Sequence, residues 1–162
     1  TLGDGAAPAL AAAALFAFAT MCVGAYVSSS YAGLACATVP ACDGTLFGSG
    51  PAQFVQMLHR LAAVSFLIVA AIATYAAWHG GSERVRLFST LGFGLIVVQI
   101  GLGIGNVVWG LPVALREAHA ANAVATFLAF VLAATLAALE PYRALVPRGE
   151  RSALSRRIAP LA

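Results

Sequence analysis

The chain has 162 residues, of which 61% are hydrophobic and 9% are charged, and its formal net charge is +3. Soluble domains carry about 25% charged residues, so this composition excludes an ordinary soluble protein and indicates an integral membrane protein. The basic residues are all Arg and lie near the ends of apolar runs rather than on one folded surface, so we expect no nucleic-acid partner.

Four apolar runs are each long enough to cross a lipid bilayer as an α-helix, which needs about 20 residues. The predicted spans cover residues 7–27, 57–78, 87–111 and 118–139. They form a predicted domain of residues 1–140, followed by an Arg-rich cytoplasmic tail at 141–162. Strands with open edges would leave backbone groups without partners in lipid. The expected fold class is therefore all-α, an integral membrane four-helix bundle.

The distribution of Arg residues predicts how the helices are oriented. An even number of spans puts both termini on one side, and only Arg60 and Arg116 lie on the other side. The positive-inside rule then predicts cytoplasmic termini in a bacterial inner (cytoplasmic) membrane. The loop with Cys36 and Cys42 would face the periplasm, where oxidation favours a structural disulfide. A redox-active cysteine pair is the alternative.

Two His residues occupy matching positions in the two predicted helical hairpins. His59 lies near the start of the second span and His119 near the start of the fourth, and these two helices run in the same direction. At one depth, two imidazoles on facing helices can hold one haem iron from opposite sides. Small neighbours, Ala63 and Ala123, leave room for a flat ring. The alternative is that each His is only a polar anchor at the membrane interface.

Three more polar residues belong to the predicted cofactor site. Arg60 and Arg116 lie on the outer side of the two His residues, where they can pair with haem propionates. Gln99 is a lone amide inside the third span, and a buried amide needs a partner, either a neighbouring helix or a bound ligand. His79 follows His59 by 20 residues, so it lies at the opposite membrane boundary and is interpreted as an interfacial residue.

Four segments, taken together and in order, resemble the haem A synthase family. They read GAYVSSSYAGLACATVPACDG, HRLAAV, QIGLGIGNVV and LPVALREAHAANAVATF, and the resemblance covers about residues 24–130. It implies a role in oxygen-dependent oxidation of a methyl group of haem O to the formyl group of haem A. It also implies that typical members consist of two four-helix halves, each with a His pair that can hold haem.

One position departs from the pattern of that family. In its catalytic half a Glu precedes the first His by three positions, and this chain has Gln56 there. Halves that hold haem b commonly lack that Glu, whereas the cysteine pair is more typical of the catalytic half. Two functions therefore stay open. The first is a half-size haem A synthase, working as a homo-oligomer. The second is a haem-b-binding or structural subunit of a larger electron-transfer complex, without synthase activity.

Overall fold

The computed structural model describes residues 6–145, so most of the predicted Arg-rich tail, residues 146–162, lies outside the described residues. Within the described part the chain forms four long helices and no strand. They are α1 (Ala6–Ser29), α2 (Pro51–Gly80), α3 (Glu83–Val108) and α4 (Val113–Leu145). All four are long and apolar enough to cross a membrane. The predicted all-α class is confirmed, and so is the presence of four helices long and apolar enough to span a membrane, while the side on which the termini lie stays a prediction.

All four helices begin earlier than the predicted spans, by one residue in α1 and by four to six residues in the other three. α2 starts at Pro51, because the first residue of a helix needs no backbone N–H donor and Pro lacks one. The Gln53 side chain also stabilises this end, since its Oε1 accepts a hydrogen bond from the Gly50 backbone N–H at 3.2 Å. His59 consequently lies two turns inside α2, about 12 Å from its first residue. α4 likewise starts at Val113 instead of 118.

The ends of α3 and α4 also differ from the predicted span ends. α3 stops at Val108 rather than at residue 111, because Gly110 and Leu111 take left-handed φ angles of 69° and 61°. α4 stays helical through Pro141 and reaches Leu145. The first residues of the predicted tail are therefore helical.

The four helices pack in a ring, in which each of α1 to α4 contacts the two helices beside it. The most extensive contacts lie within the α1–α2 and α3–α4 hairpins. Since α1 neighbours α2 and α4, the helices α2 and α4 stand at opposite corners of the ring. This arrangement places side chains of α2 and α4 across the interior of the bundle from each other.

A tightly packed apolar core fills one end of the bundle. Phe66 of α2 and Phe130 of α4 meet edge to face there, with ring centroids 5.8 Å apart. The other core residues are mostly small: Leu10, Ala13, Ala14, Ala17, Ala70, Ala73, Ala77, Val85, Ile96, Ala133 and Ala137. His59 and His119 precede these positions in their helices, so the two imidazoles lie in the half of the bundle nearer the α1–α2 loop.

Candidate histidine site

Two imidazoles stand at opposite corners of the bundle and share an unusual feature. His59 of α2 and His119 of α4 are both half-buried. The Nδ1 atom of each ring is buried without any hydrogen-bond partner among the described residues. Buried polar atoms almost always have partners, so a matched pair without them indicates a place for a ligand.

Each imidazole packs directly against a glycine of the other helix in its hairpin. A Cβ placed on Gly24 of α1 would lie 2.9 Å from the Cε1 atom of His59. A Cβ placed on Gly103 of α3 would lie 3.3 Å from the Cε1 atom of His119. The two hairpins therefore repeat one arrangement, with a His of the second helix against a glycine of the first.

The α3–α4 hairpin is fastened at His119 by a chain of amide hydrogen bonds. Gln99 Nε2 donates to the His119 backbone carbonyl at 3.0 Å. Asn122 Nδ2 donates to Gln99 Oε1 at 2.7 Å and to the Leu95 carbonyl at 2.9 Å. Of the two expectations for Gln99, the structure supports the bond to a neighbouring helix. The amide fixes the backbone of the His rather than reaching toward a ligand.

Arg60, expected near haem propionates, is bound to the α1–α2 loop (residues 30–50). Its guanidinium donates to four backbone carbonyls, at distances between 2.6 and 3.3 Å, which belong to Cys36, Thr38, Pro40 and Ala41. Backbone carbonyls in a tight loop lack the regular partners that a helix or sheet provides. A guanidinium has five N–H donors and can therefore bind several of these carbonyls at once. The structure thus gives Arg60 a role in holding the loop against α2.

Gln56, like Arg60, holds the α1–α2 loop against α2. Its side chain is 4% exposed, and both of its polar atoms have partners in the loop. Oε1 accepts from the Cys36 backbone N–H at 2.5 Å, and Nε2 donates to the Gly33 carbonyl at 2.8 Å. An amide suits this position because it supplies one donor and one acceptor without charge.

The expected disulfide closes the loop that Gln56 and Arg60 hold. The sulfur atoms of Cys36 and Cys42 are 2.09 Å apart, and both residues are fully buried. Cys22 is a free, exposed cysteine on α1. The bridge ties together the same loop segment whose carbonyls receive the Arg60 guanidinium.

Alkylation of the protein in denaturant is expected to modify one of its three cysteines before reduction and all three afterwards. Cys22 is the internal control, because its thiol is not in a bridge and reacts under both conditions. Mass spectrometry of the peptides would count the modified sites. Modification of Cys36 and Cys42 without a reductant would contradict the disulfide.

The donors at this site fit a haem better than a metal ion held by side chains alone. Among residues 6–141 there is no group of three or more His, Cys, Asp or Glu side chains placed to hold a metal ion. A haem iron needs only two axial ligands, since the macrocycle supplies the other four. Ala63 and Ala123, one turn beyond the two His residues, are half-buried. Arg116 is exposed, three residues before His119.

Gly24 and Gly103 are the residues of this site that the sequence analysis missed. Gly103 was visible only as part of the glycine-rich run in α3, and Gly24 only as a glycine at the end of the first apolar span. A signal exists in the repeat of the two hairpins, since each His-bearing helix follows a helix with a glycine near the same end. The repeat by itself does not say which glycine touches which ring.

The fold and the paired imidazoles define a membrane four-helix bundle with a candidate site for a planar iron cofactor. The chain belongs to the haem A synthase family, because the family model described as cytochrome oxidase assembly protein matches its residues 2–131.

Individual relatives carry two different names, haem A synthase and protoheme IX farnesyltransferase. A haem A synthase of Maricaulis maris is 31% identical over 72% of this chain and 38% of its own length. A haem A synthase of Shewanella oneidensis is 27% identical over 67% of this chain and 40% of its own length. A protoheme IX farnesyltransferase of Haloarcula marismortui is 36% identical over 76% of this chain and 27% of its own length. The chain thus spans two fifths or less of these relatives.

Proposed function

We propose that this chain is a four-helix haem-binding unit, with His59 and His119 as the axial ligands of one haem iron. The observation that carries the proposal is the pair of imidazoles on opposite helices, each with a buried Nδ1 that has no partner in the described structure. Two His ligands on facing helices of a bundle are a common way to hold haem. The proposed domain is the bundle within residues 1–140.

The names of the relatives support a haem-holding role. Some are haem A synthases and others are protoheme IX farnesyltransferases, so their names refer to two different reactions on haem. In both cases the part that resembles this chain is less than half of the relative. A unit common to proteins with different reactions is most simply one that binds the shared molecule.

Haem b is the proposed cofactor, and haem O and haem A are the proposed substrate and product if the chain also oxidises haem. When bound, haem supplies a redox-active iron. The chain's own residues bind and orient it: the imidazoles ligate, and Gln99 fixes the His119 backbone. Arg116, exposed beside His119, is the better placed of the two Arg residues to pair with a propionate, since the Arg60 guanidinium is bound to loop carbonyls.

Gln56 favours holding haem b over oxidising haem O. Its amide has no titrating group, and both of its polar atoms bind the α1–α2 loop. This position therefore offers no side chain that can move a proton.

Oxidation of haem O by a half-size homo-oligomer is the second candidate, favoured by the family membership and by the disulfide loop. Other membrane subunits are the proposed partners if the chain serves a larger electron-transfer complex.

The proposed setting is the bacterial inner membrane, with cytoplasmic termini and the disulfide loop in the periplasm. An oxidising compartment suits the Cys36–Cys42 bridge. Both His residues then lie toward the periplasmic side of the bilayer.

The test is a spectrum of the protein purified in mild detergent from cells supplied with haem. A reduced-minus-oxidised difference spectrum and a pyridine haemochrome are expected to show low-spin haem b at about one per chain, as a bis-His site requires. Conversion of added haem O to haem A would establish the oxidising role. Protein that contains no haem under these conditions would contradict the proposal and leave a structural subunit.

A further inference from the structure

We propose that the backbone carbonyls of Thr20 and Gln99 orient the two imidazoles, each accepting a hydrogen bond from a ring Nδ1–H and leaving Nε2 to ligate the iron. Gly24 and Gly103 are then positioning residues, because the absence of a side chain lets each ring reach the helix backbone. The inference rests on the proposed haem-binding function and deepens it, since it names which nitrogen ligates and what holds the other.

The two nitrogens of each ring differ in burial, and those of His119 also differ in their distance from the neighbouring glycine. A Cβ placed on Gly103 would have His119 Cε1 at 3.3 Å and Nδ1 at 3.8 Å, with Nε2 beyond 4 Å. A Cβ placed on Gly24 would have His59 Cε1 at 2.9 Å, Nδ1 at 3.4 Å and Nε2 at 3.5 Å. The Nδ1–Cε1 edge of His119 faces its glycine, whereas His59 turns its Cε1 corner to the glycine. In both rings Nδ1 is the nitrogen that is buried without a hydrogen-bond partner among the described residues.

A backbone acceptor lies beside each ring at the same relative position. His59 contacts α1 at Gly24 and His119 contacts α3 at Gly103, so the backbone carbonyl one helical turn before each glycine lies next to the ring. Thr20 precedes Gly24 by four residues, and Gln99 precedes Gly103 by four residues. In an α-helix the carbonyl of each accepts from the N–H of that glycine, and its second lone pair is available for another donor.

The hydrogen bond itself is not yet formed in the structure. Both Nδ1 atoms are buried and have no hydrogen-bond partner among the described residues. A His that ligates a metal almost always donates its other N–H to a carbonyl, carboxylate or water, which fixes the tautomer. A carbonyl one helical turn before the glycine that the ring contacts occurs once in each hairpin.

The glycines at these two positions are distinguishable from other glycines of the bundle. A Cβ on Gly94 or Gly101, also in α3, would meet nothing within 4 Å. A Cβ on Gly24 would come closer to an imidazole than real Cβ atoms do, and one on Gly103 would be tight. The α3 helix thus supplies its own matched controls for a Gly→Ala substitution.

The experiment compares Gly24→Ala and Gly103→Ala with Gly94→Ala and Gly101→Ala, each purified and titrated with protohaem IX. We expect wild-type affinity and a wild-type low-spin electron paramagnetic resonance spectrum for the two controls. For Gly24→Ala we expect at least about tenfold weaker binding and altered low-spin g-values, since loss of groups that orient a ligand His costs about 10–100-fold. For Gly103→Ala we expect a smaller change of the same kind.

A second measurement needs no substitution. In the haem-loaded wild-type protein, nuclear magnetic resonance should show two ring N–H protons that exchange slowly with solvent, one for each His59 and His119 Nδ1. Rapid exchange of both protons would overturn the inference even if Gly24→Ala fails to fold. So would Gly24→Ala and Gly103→Ala variants that match Gly101→Ala in affinity and g-values.

The outcomes separate this inference from the proposed function. A wild-type protein that binds no haem overturns both. A wild-type protein that binds one low-spin haem, but whose Gly24 and Gly103 variants are indistinguishable from the controls, overturns only the role of the two carbonyls. Circular dichroism of each variant before haem is added shows whether the helices have formed.

Discussion

Replacing His59 or His119 with Ala is expected to abolish low-spin haem binding completely. A low-spin bis-His iron needs both axial nitrogens, and the described part of the bundle offers no third imidazole at that end. Each single substitution should therefore leave at most a weakly held high-spin haem. The measurement is haem content per chain together with the absorption spectrum of the reduced protein.

His79→Ala is the matched control for this prediction. His79 lies on the same helix as His59, but at its opposite end, where it is exposed and its Nδ1 is 2.9 Å from the Tyr75 carbonyl. Its removal should change neither the haem content nor the spectrum. Wild-type spectra from both the His59 and His119 variants would exclude the proposed ligand pair.

Replacing Gln56 with Glu is expected to loosen the α1–α2 loop, despite the similar size of the two side chains. The Cys36 N–H can still donate to a Glu oxygen, but the second oxygen would face the Gly33 carbonyl, which now receives a hydrogen bond at 2.8 Å. An unpaired buried polar group costs about 1–3 kcal/mol, and more when it is charged. The rate at which a thiol reduces the Cys36–Cys42 disulfide should rise, and the thermal unfolding midpoint should fall.

Gln56→Met separates the charge from the lost hydrogen bonds. The Met variant removes both bonds and adds no charge, so the Glu variant should be the less stable of the two near neutral pH. Lowering the pH should restore part of the stability of the Glu variant, because a protonated carboxyl can again donate to Gly33. Equal disulfide reduction rates in wild type and both variants would show that Gln56 does not hold the loop.

The Gln56→Glu variant also tests whether the amide at this position prevents the oxidation of haem O. If the Glu variant forms haem A from added haem O while the wild type does not, the amide is what keeps this chain from the oxidising reaction. If neither protein forms haem A, the chain behaves as the haem-holding unit proposed above.

Hydropathy was sufficient to predict the four membrane-spanning helices, because a helix of about 20 apolar residues is long enough to cross the hydrocarbon core and satisfies its own backbone hydrogen bonds. A matching depth of His59 and His119 is a prediction from sequence, since it depends only on distance along two helices of the same direction. The disulfide was predicted from the closeness of Cys36 and Cys42 in one loop. The helix ends were less accurate, since Pro51 and Gly110 act through local backbone geometry that hydropathy does not measure.

The partners of each polar side chain were decided by the tertiary structure alone. Arg60, predicted to lie near haem propionates, donates to loop carbonyls. Gln99, for which a helix partner and a bound ligand both stayed open, binds the backbone of His119. Gly24 gave no separate signal, yet it lies against His59. Such contacts depend on how each helix is rotated and which helix stands beside it. Those quantities are set by packing between residues far apart in the chain, and no single segment of the sequence contains them.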